Sequence, residues 1–320
     1  MTDSAGWQPS ASLAALRTRA QTLHTIRQFF TSRHLLEIDV PVLASHSVTD
    51  PSITAIQATV NNQTGFLQTS PEYFLKRLIA AGYGSVFYLG KAFRDQEYGR
   101  RHQPEFTMLE WYQLGFDDVQ LMQQTLALMA ELLPGKPQRT VSYQALFEAE
   151  FGANPHTIDD AALAQLGQAC CAVSFDQADR NTWLDLLFSH CLEPKLQDVV
   201  VVCDYPASQG ALARLGENPQ GHRVAKRFEV FVDGLEIGNG YWELSDADEL
   251  AQRFAADQKL RRERGDFVPA VDPQLMAAQR HGLPDCAGIA MGVDRIIMAK
   301  LGASSLADTL AFATHFSAEP

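Results

Sequence analysis

FRDQEYGRRHQPEFTMLEWY, Phe93 to Tyr112, packs more charge and aromatic surface into twenty residues than any other part of this 320-residue chain. Arg94, Arg100, Arg101 and His102 stand among four carboxylates and beside Phe93, Phe106, Trp111 and Tyr112. On either side of the polar middle, SVFYLGKAFR and EFTMLEWYQL have the composition of strands, and together they predict a long antiparallel hairpin. Guanidinium forks match phosphate oxygens, so Arg94, Arg100, Arg101 and His102 near a strand turn could clamp phosphates, with Phe106 stacking on a base. A charged loop backed by core aromatics has the same appearance. The other phosphate-binding signatures are missing: GSVFYLGK (84–91) has the wrong glycine spacing for a P-loop, and GIAMGVDR lacks the dinucleotide fingerprint.

Upstream, Ser10 is a candidate N-cap for a helix carrying Leu13, Leu16, Leu23, Ile26 and Phe30 at helical spacing and ending near Arg33. LLEIDVPVL then reads as an extended strand that Pro41 confines to an edge or an interface. Pro71 suits the first turn of a helix over EYFLKRLIAAG, closed by Gly82. Downstream, 135–200 reads as a mostly helical insertion or connecting region. Strands return at VVVCDYP and KRFEVFVDGLEIGNGYWEL, helices at 246–263 and 273–281, and GIAMGVDRIIMAKLG reads as a strand running into a helix. Antiparallel blocks with interspersed helices predict an α+β fold, an antiparallel sheet flanked by helices, in a single domain over 1–320.

The charge bounds the function. A net −12 disfavours a polyanion binder, despite local basic patches at Arg100-Arg101 and KLRRERG (259–265). Five cysteines without a C-x-x-C read as reduced thiols. Without a secretory signal or a long apolar run, the expected location is cytoplasmic, with no membrane segment.

One constellation carries its own chemistry. In RFEVFVDGLEIGNGYWEL, Asp233-Gly234 is a two-residue turn signal. Pairing Val232 with Leu235 sets Glu229 opposite Gly238 and makes Glu229 and Glu236 diagonal neighbours on one face. Two such carboxylates need a cation between them. Mg²⁺ carrying nucleotide phosphates meets that need, and so does a nearby Lys or Arg.

These pieces form a known set. Phe93-Arg94 followed by HQPEFTMLEWY resembles motif 2 of the class II aminoacyl-tRNA synthetases, LLEIDVPVL resembles motif 1, and GIAMGVDRIIM with Arg295 resembles motif 3. TSPEYFLKRL, RFEVFVDGLEIGNGYWEL and the EFTMLEWY ending narrow the likeness to the lysyl branch. It covers nearly the whole chain and is weakest across 135–200. The resemblance implies ATP as a substrate and Mg²⁺ as its companion. Arg94 would hold the α-phosphate and Arg295 the γ-phosphate, as the catalytic charges. Phe106 would lie beneath adenine, with Asp95, Gln96, His102, Gln103, Glu236, Ile237 and Gly292 completing the nucleotide site. Glu229 and Glu236 would bind the metal. Glu72 would receive the α- or β-amino group of a lysine, with Ser70 and Pro71 beside it in the substrate site; Tyr112 and Glu243 would hold its ε-ammonium, and Asn239 would orient its carboxylate.

The sequence departs from the lysyl pattern in two places. Asp95-Gln96 replaces the usual Asn-Glu, and HQPEF puts Gln103 where an Asn is usual. Neither change removes a charge from the reaction centre. The motif 1 helix also begins by about residue 11, which leaves no room for the anticodon-binding domain of a lysyl-tRNA synthetase. WQPSAS (7–12), PASQ (206–209) and PDCAGIAMGVDR fit the freestanding lysyl-synthetase paralogues that modify translation elongation factor P. Ala290 replaces a typical Gly, and one methyl in a pocket discriminates by roughly 1–3 kcal/mol. The expectation is therefore an AMP-forming ligase, homodimeric through motif 1 and without tRNA anticodon recognition. It would join lysine, (R)-β-lysine by preference, to elongation factor P. The alternatives are a truncated lysyl-tRNA synthetase-like ligase acting on tRNA or another amine, and a noncatalytic regulator. The regulator reading fits poorly, since Arg94, Arg295, Glu229, Glu236 and Glu243 are all present.

Overall fold

A computed structural model describes residues 7–173 and 178–314. The chain divides into two compact units, one drawn from Met1–Leu114, Ser245–Pro284 and Ala290–Pro320, the other from Gly115–Leu244 and Asp285–Ile289.

In the first unit the expected hairpin is present. Val86–Phe93 pairs antiparallel with Glu105–Leu114, from Val86 opposite Tyr112 to Phe93 opposite Glu105. Its inner face is aromatic: Phe30 packs 4.9 Å from both Phe87 and Trp111, all three fully buried. Trp111 is thus a core residue. The first helix, Leu13–Thr31, begins two residues later than the Ser10 expectation, because the Ser12 hydroxyl accepts from the Ala15 N–H at 3.1 Å. LLEIDVPVL is not one strand. Leu36–Glu37 runs parallel to Val86–Phe93, while Leu43–Ala44 joins a separate three-stranded sheet with Gln57–Val60 and Gln63–Leu67. Pro41, which has no N–H to give, lies in the break. Helices Glu72–Ala80, Ala247–Arg264, Pro273–Gly282 and Val293–Leu301 complete the unit. Within KLRRERG, Arg261 is no surface charge: it is buried and donates to the carbonyls of Thr49, Asp50, Ile53 and Phe267.

A buried triad ties three segments of this unit together. Arg19 donates to Asp294 Oδ1 at 2.5 Å and to Thr107 Oγ1 at 2.6 Å, and the Thr107 N–H donates to Asp294 Oδ2 at 2.7 Å. It joins the first helix to the strand that carries Phe106 and to the helix that carries Arg295.

In the second unit, Gln138–Ser142 runs parallel to Val199–Pro206, which pairs antiparallel with Arg223–Val232, itself antiparallel to Leu235–Trp242. Asp233 and Gly234 both take positive φ (50° and 70°), the conformation a two-residue hairpin turn demands. A Cβ at Gly234 would meet the Glu193 carbonyl at 2.9 Å. The 135–200 region supplies helices Tyr143–Phe151, Asp160–Cys171 and Arg180–Leu187 and the strand Gln138–Ser142. Its Tyr143, Phe147, Trp183, Leu187 and Phe188 form one core with Val200, Val202, Tyr205 and Phe231 of the sheet. Val202 lies opposite Glu229, so this core and the acidic hairpin share a face. Antiparallel pairs predominate in both units and helices pack on them, the α+β arrangement expected. All five cysteines are free thiols. No described helix is long and apolar enough to cross a membrane.

Candidate active site

The first unit assembles a carboxylate cluster at the start of helix Glu72–Ala80. Pro71 is the N-cap residue, and the Glu72 N–H donates to Ser70 Oγ at 3.1 Å. One turn on, the buried Lys76 pairs with Glu72 at 2.6 Å. Ser70 Oγ in turn donates to Glu110 Oε2 at 2.6 Å, and the Tyr112 hydroxyl donates to Glu110 Oε1 at 2.8 Å. Residues 110 and 112 share a face because strand side chains alternate. Glu110 is 1% exposed. Burial first, and then the Glu72 charge, push its carboxyl up to about 8. At pH 7 the Glu110 carboxyl is therefore held mostly in its protonated form, beside the Glu72–Lys76 ion pair.

Glu110 was not among the expected site residues, nor was Lys76. The signal for Glu110 was present: it is a lone acid two positions before Tyr112, in a strand whose other residues from 108 to 112 are apolar or aromatic.

The same unit gathers Arg94, His102, Phe106 and Arg295. The Arg94 guanidinium lies 5.3 Å from the Phe106 ring centroid and 3.5 Å from Glu97 Oε1. Arg295 Nη2 donates to His102 Nε2 at 2.6 Å, and its Nε to the Arg101 carbonyl at 3.3 Å. Burial and then the Arg295 charge lower the His102 pKa, so the imidazole is neutral at pH 7 and its Nε2 accepts. Arg94 Nε and Gln103 Oε1 are buried and make no hydrogen bond among the described residues. That leaves a donor and an acceptor for a ligand. Gln96 has φ 63°, with its N–H on Asp95 Oδ1 at 2.9 Å.

The second unit carries the acidic hairpin, with a register different from the expected one. A bulge between Val230 and Phe231 sets Glu229 opposite Asn239 instead of Gly238, and Phe231 opposite Glu236. Both carboxylates stay on one face. The cation beside Glu229 is Arg227: its Nη2 donates to Glu229 Oε1, while the Tyr205 hydroxyl donates to Oε2 at 2.6 Å. Asn239 is half-buried, and its Oδ1 accepts no hydrogen bond among the described residues. Ile237 is buried. Glu243 is 1% exposed, and its backbone carbonyl accepts from Arg214 Nε at 2.7 Å. Ala290 and Gly292, which belong to the first unit, are half-buried at the end of the strand Cys286–Gly292.

Comparisons with known proteins agree with the motifs. The model of the class II tRNA synthetases (D, K and N) matches residues 7–315, and the chain belongs to that family. Among its relatives are three proteins named elongation factor P–(R)-beta-lysine ligase. That of Pasteurella multocida (strain Pm70) is 41% identical, and the alignment covers 98% of both chains. The Mannheimia succiniciproducens protein is 40% identical over 98% of this chain and 99% of its own. The Yersinia enterocolitica protein is 40% identical over 98% of both.

Proposed function

We propose that this protein is an ATP-dependent ligase. It activates lysine, (R)-β-lysine by preference, as an adenylate and transfers it to the ε-amino group of a lysine on elongation factor P. The observation that carries this reading is full-length similarity to ligases of that name, in a chain that retains Arg94, Arg295, Glu229, Glu236 and Glu243.

The substrate's ε-ammonium needs a carboxylate for its charge and acceptors for its protons, which Glu243 and Tyr112 supply. Ser70, Pro71 and Glu72 shape the site of the α- or β-amino group, Asn239 orients the carboxylate, and Ala290 narrows the pocket. In the first step a carboxylate oxygen attacks the α-phosphorus and the bond to the β-phosphate oxygen breaks. Pyrophosphate leaves. A carboxylate is already a nucleophile at pH 7, so the chain's task is positioning and charge stabilisation by Arg94 and Arg295. Phe106 stacks under adenine, and Asp95, Gln96, His102, Gln103, Ile237 and Gly292 line the nucleotide.

Glu229 and Glu236 would hold a Mg²⁺ ion together with phosphate oxygens, Glu229 turning to it from Arg227 and the Tyr205 hydroxyl. The described residues offer no cluster of three or more His, Cys, Asp or Glu for an all-protein site, and Mg²⁺ ordinarily takes one or two carboxylates plus phosphate oxygens. Bound there, the ion would neutralise phosphate charge.

In the second step the acceptor amine attacks the activated carbonyl carbon, AMP leaves, and the nitrogen loses its proton. A free lysine is neutral only about once in a few thousand molecules at pH 7, so the acceptor must be desolvated or deprotonated as it docks. The protein works in the cytoplasm as a homodimer. The test offers labelled lysine with ATP, Mg²⁺ and equal amounts of elongation factor P and tRNA. Label in the protein factor supports the reading, and label in tRNA alone overturns it.

A further inference from the structure

Arg227 lies where the metal reading of Glu229 and Glu236 calls for a cation, and its surroundings are built to keep it there. The guanidinium is enclosed, with 12% of the side chain exposed, 4.5 Å from the Tyr205 ring centroid and 5.9 Å from that of Tyr241. Nη1 donates to the Gln209 carbonyl at 2.9 Å and Nη2 to Glu229 Oε1. Its Nε is buried and makes no hydrogen bond among the described residues. The Gln209 side chain donates to Asp185 Oδ1 at 2.6 Å, and Asn181 Nδ2 donates to the Ser208 carbonyl at 2.9 Å. Helix Arg180–Leu187 thus holds the turn Ala207–Gln209, whose carbonyl holds Arg227. Burial works against the guanidinium charge and the Glu229 carboxylate more than offsets it, with Tyr241, Tyr205 and Glu236 adding to the same effect.

We propose that Arg227 is a built-in counter-cation for the acidic hairpin. It neutralises Glu229 and Glu236 before the nucleotide arrives, keeps the pair from taking up a divalent ion on its own, and yields to one that arrives with phosphate. Arg227 is in this sense a positioning residue acting through Glu229, and the helical 135–200 region is part of its support. Without Arg227, Glu229 would keep only the Tyr205 hydroxyl, and its carboxylate would be open to Mg²⁺ or Ca²⁺ in the absence of nucleotide. With Arg227 in place, the metal's own phosphate escort supplies the extra attraction. The inference rests on the metal assignment of Glu229 and Glu236 made above.

The experiment is Mn²⁺ titration followed by electron paramagnetic resonance, with and without a nonhydrolysable ATP analogue. The proteins are the wild type, Arg227→Gln and Arg227→Lys. The proposal expects wild type and Arg227→Lys to bind Mn²⁺ tightly only with nucleotide, and Arg227→Gln to bind it at least tenfold more tightly than wild type when nucleotide is absent. Nucleotide-free affinity equal in wild type and Arg227→Gln overturns the counter-cation role and leaves the metal site standing. No Mn²⁺ binding to wild type even with nucleotide overturns the metal assignment and the proposal with it. Should Arg227→Gln not fold, side-chain ¹⁵N resonances of Arg227 in the wild type decide. The proposal expects them to shift with Mg²⁺ and the ATP analogue together and not with Mg²⁺ alone; unchanged resonances overturn it.

Discussion

Replacing Arg19 with alanine removes the guanidinium that bridges Asp294 and Thr107. The Asp294 carboxylate, 3% exposed, would keep only the Thr107 N–H at 2.7 Å, and Thr107 Oγ1 would lose its donor at 2.6 Å. Removing one partner of a buried pair costs about 3–5 kcal/mol, because the other charge is left uncompensated. The Arg19 side chain is 16% exposed, so water can reach part of the gap and the lower end applies, about 3 kcal/mol. At about 2–4 °C per kcal/mol for a large domain, the melting temperature should fall by roughly 6–12 °C. Arg19→Lys keeps the charge but cannot fork to both partners, so it should lie between. The double variant Arg19→Ala/Asp294→Ala should lose less than the sum of the single losses, since the two residues share one interaction. Differential scanning calorimetry reads all five proteins: wild type, Arg19→Ala, Arg19→Lys, Asp294→Ala and the double variant. Arg19→Ala melting within about 1 °C of wild type would refute the reasoning, as would strict additivity in the cycle.

Three other outcomes follow from the sites. Arg94→Ala should lower lysine-dependent ATP–pyrophosphate exchange by about 10²–10³-fold while the circular dichroism melt is unchanged, and normal exchange would remove Arg94 from the α-phosphate. Phe106→Ala should raise the KM for ATP about tenfold with little change in kcat, since base stacking contributes about 1–3 kcal/mol; an unaltered KM would place adenine elsewhere. The folded Glu110 carboxyl holds its proton more tightly than an unfolded one, about 8 against 4.5, so its stabilising contribution is complete below pH 4.5 and is lost as pH rises through 8. Glu110→Gln should therefore flatten the decline of stability between those values, and an unchanged pH profile of urea unfolding would contradict the raised pKa.

Much of this was legible in the residues because the patterns are local. The hairpin from Val86 to Leu114 follows from two strand-like runs around a polar loop, and the Asp233-Gly234 turn from its backbone demand. The misreadings came from effects that need partners. Ser12 caps the first helix, not Ser10, a choice set by which hydroxyl reaches the Ala15 N–H. The bulge at Val230–Phe231 is invisible in a period-two pattern, yet it moves Glu229 from Gly238 to Asn239. Glu110 and Arg227 were passed over for a shared reason. A charge within a strand signals a site only when its partners are known, and Ser70, Tyr205 and Gln209 are 40, 22 and 18 residues away in sequence. The aromatic cluster divided too: Trp111 went to the core and Phe106 stayed beside Arg94.

Intact-mass analysis of elongation factor P after incubation with this protein, ATP, Mg²⁺ and either α-lysine or (R)-β-lysine tests the central claim most directly. The ligase reading requires a gain of one lysyl residue, greater with the β-isomer and abolished when the acceptor lysine is replaced by arginine. An unchanged mass with both isomers, while pyrophosphate exchange proceeds, would contradict elongation factor P as the acceptor.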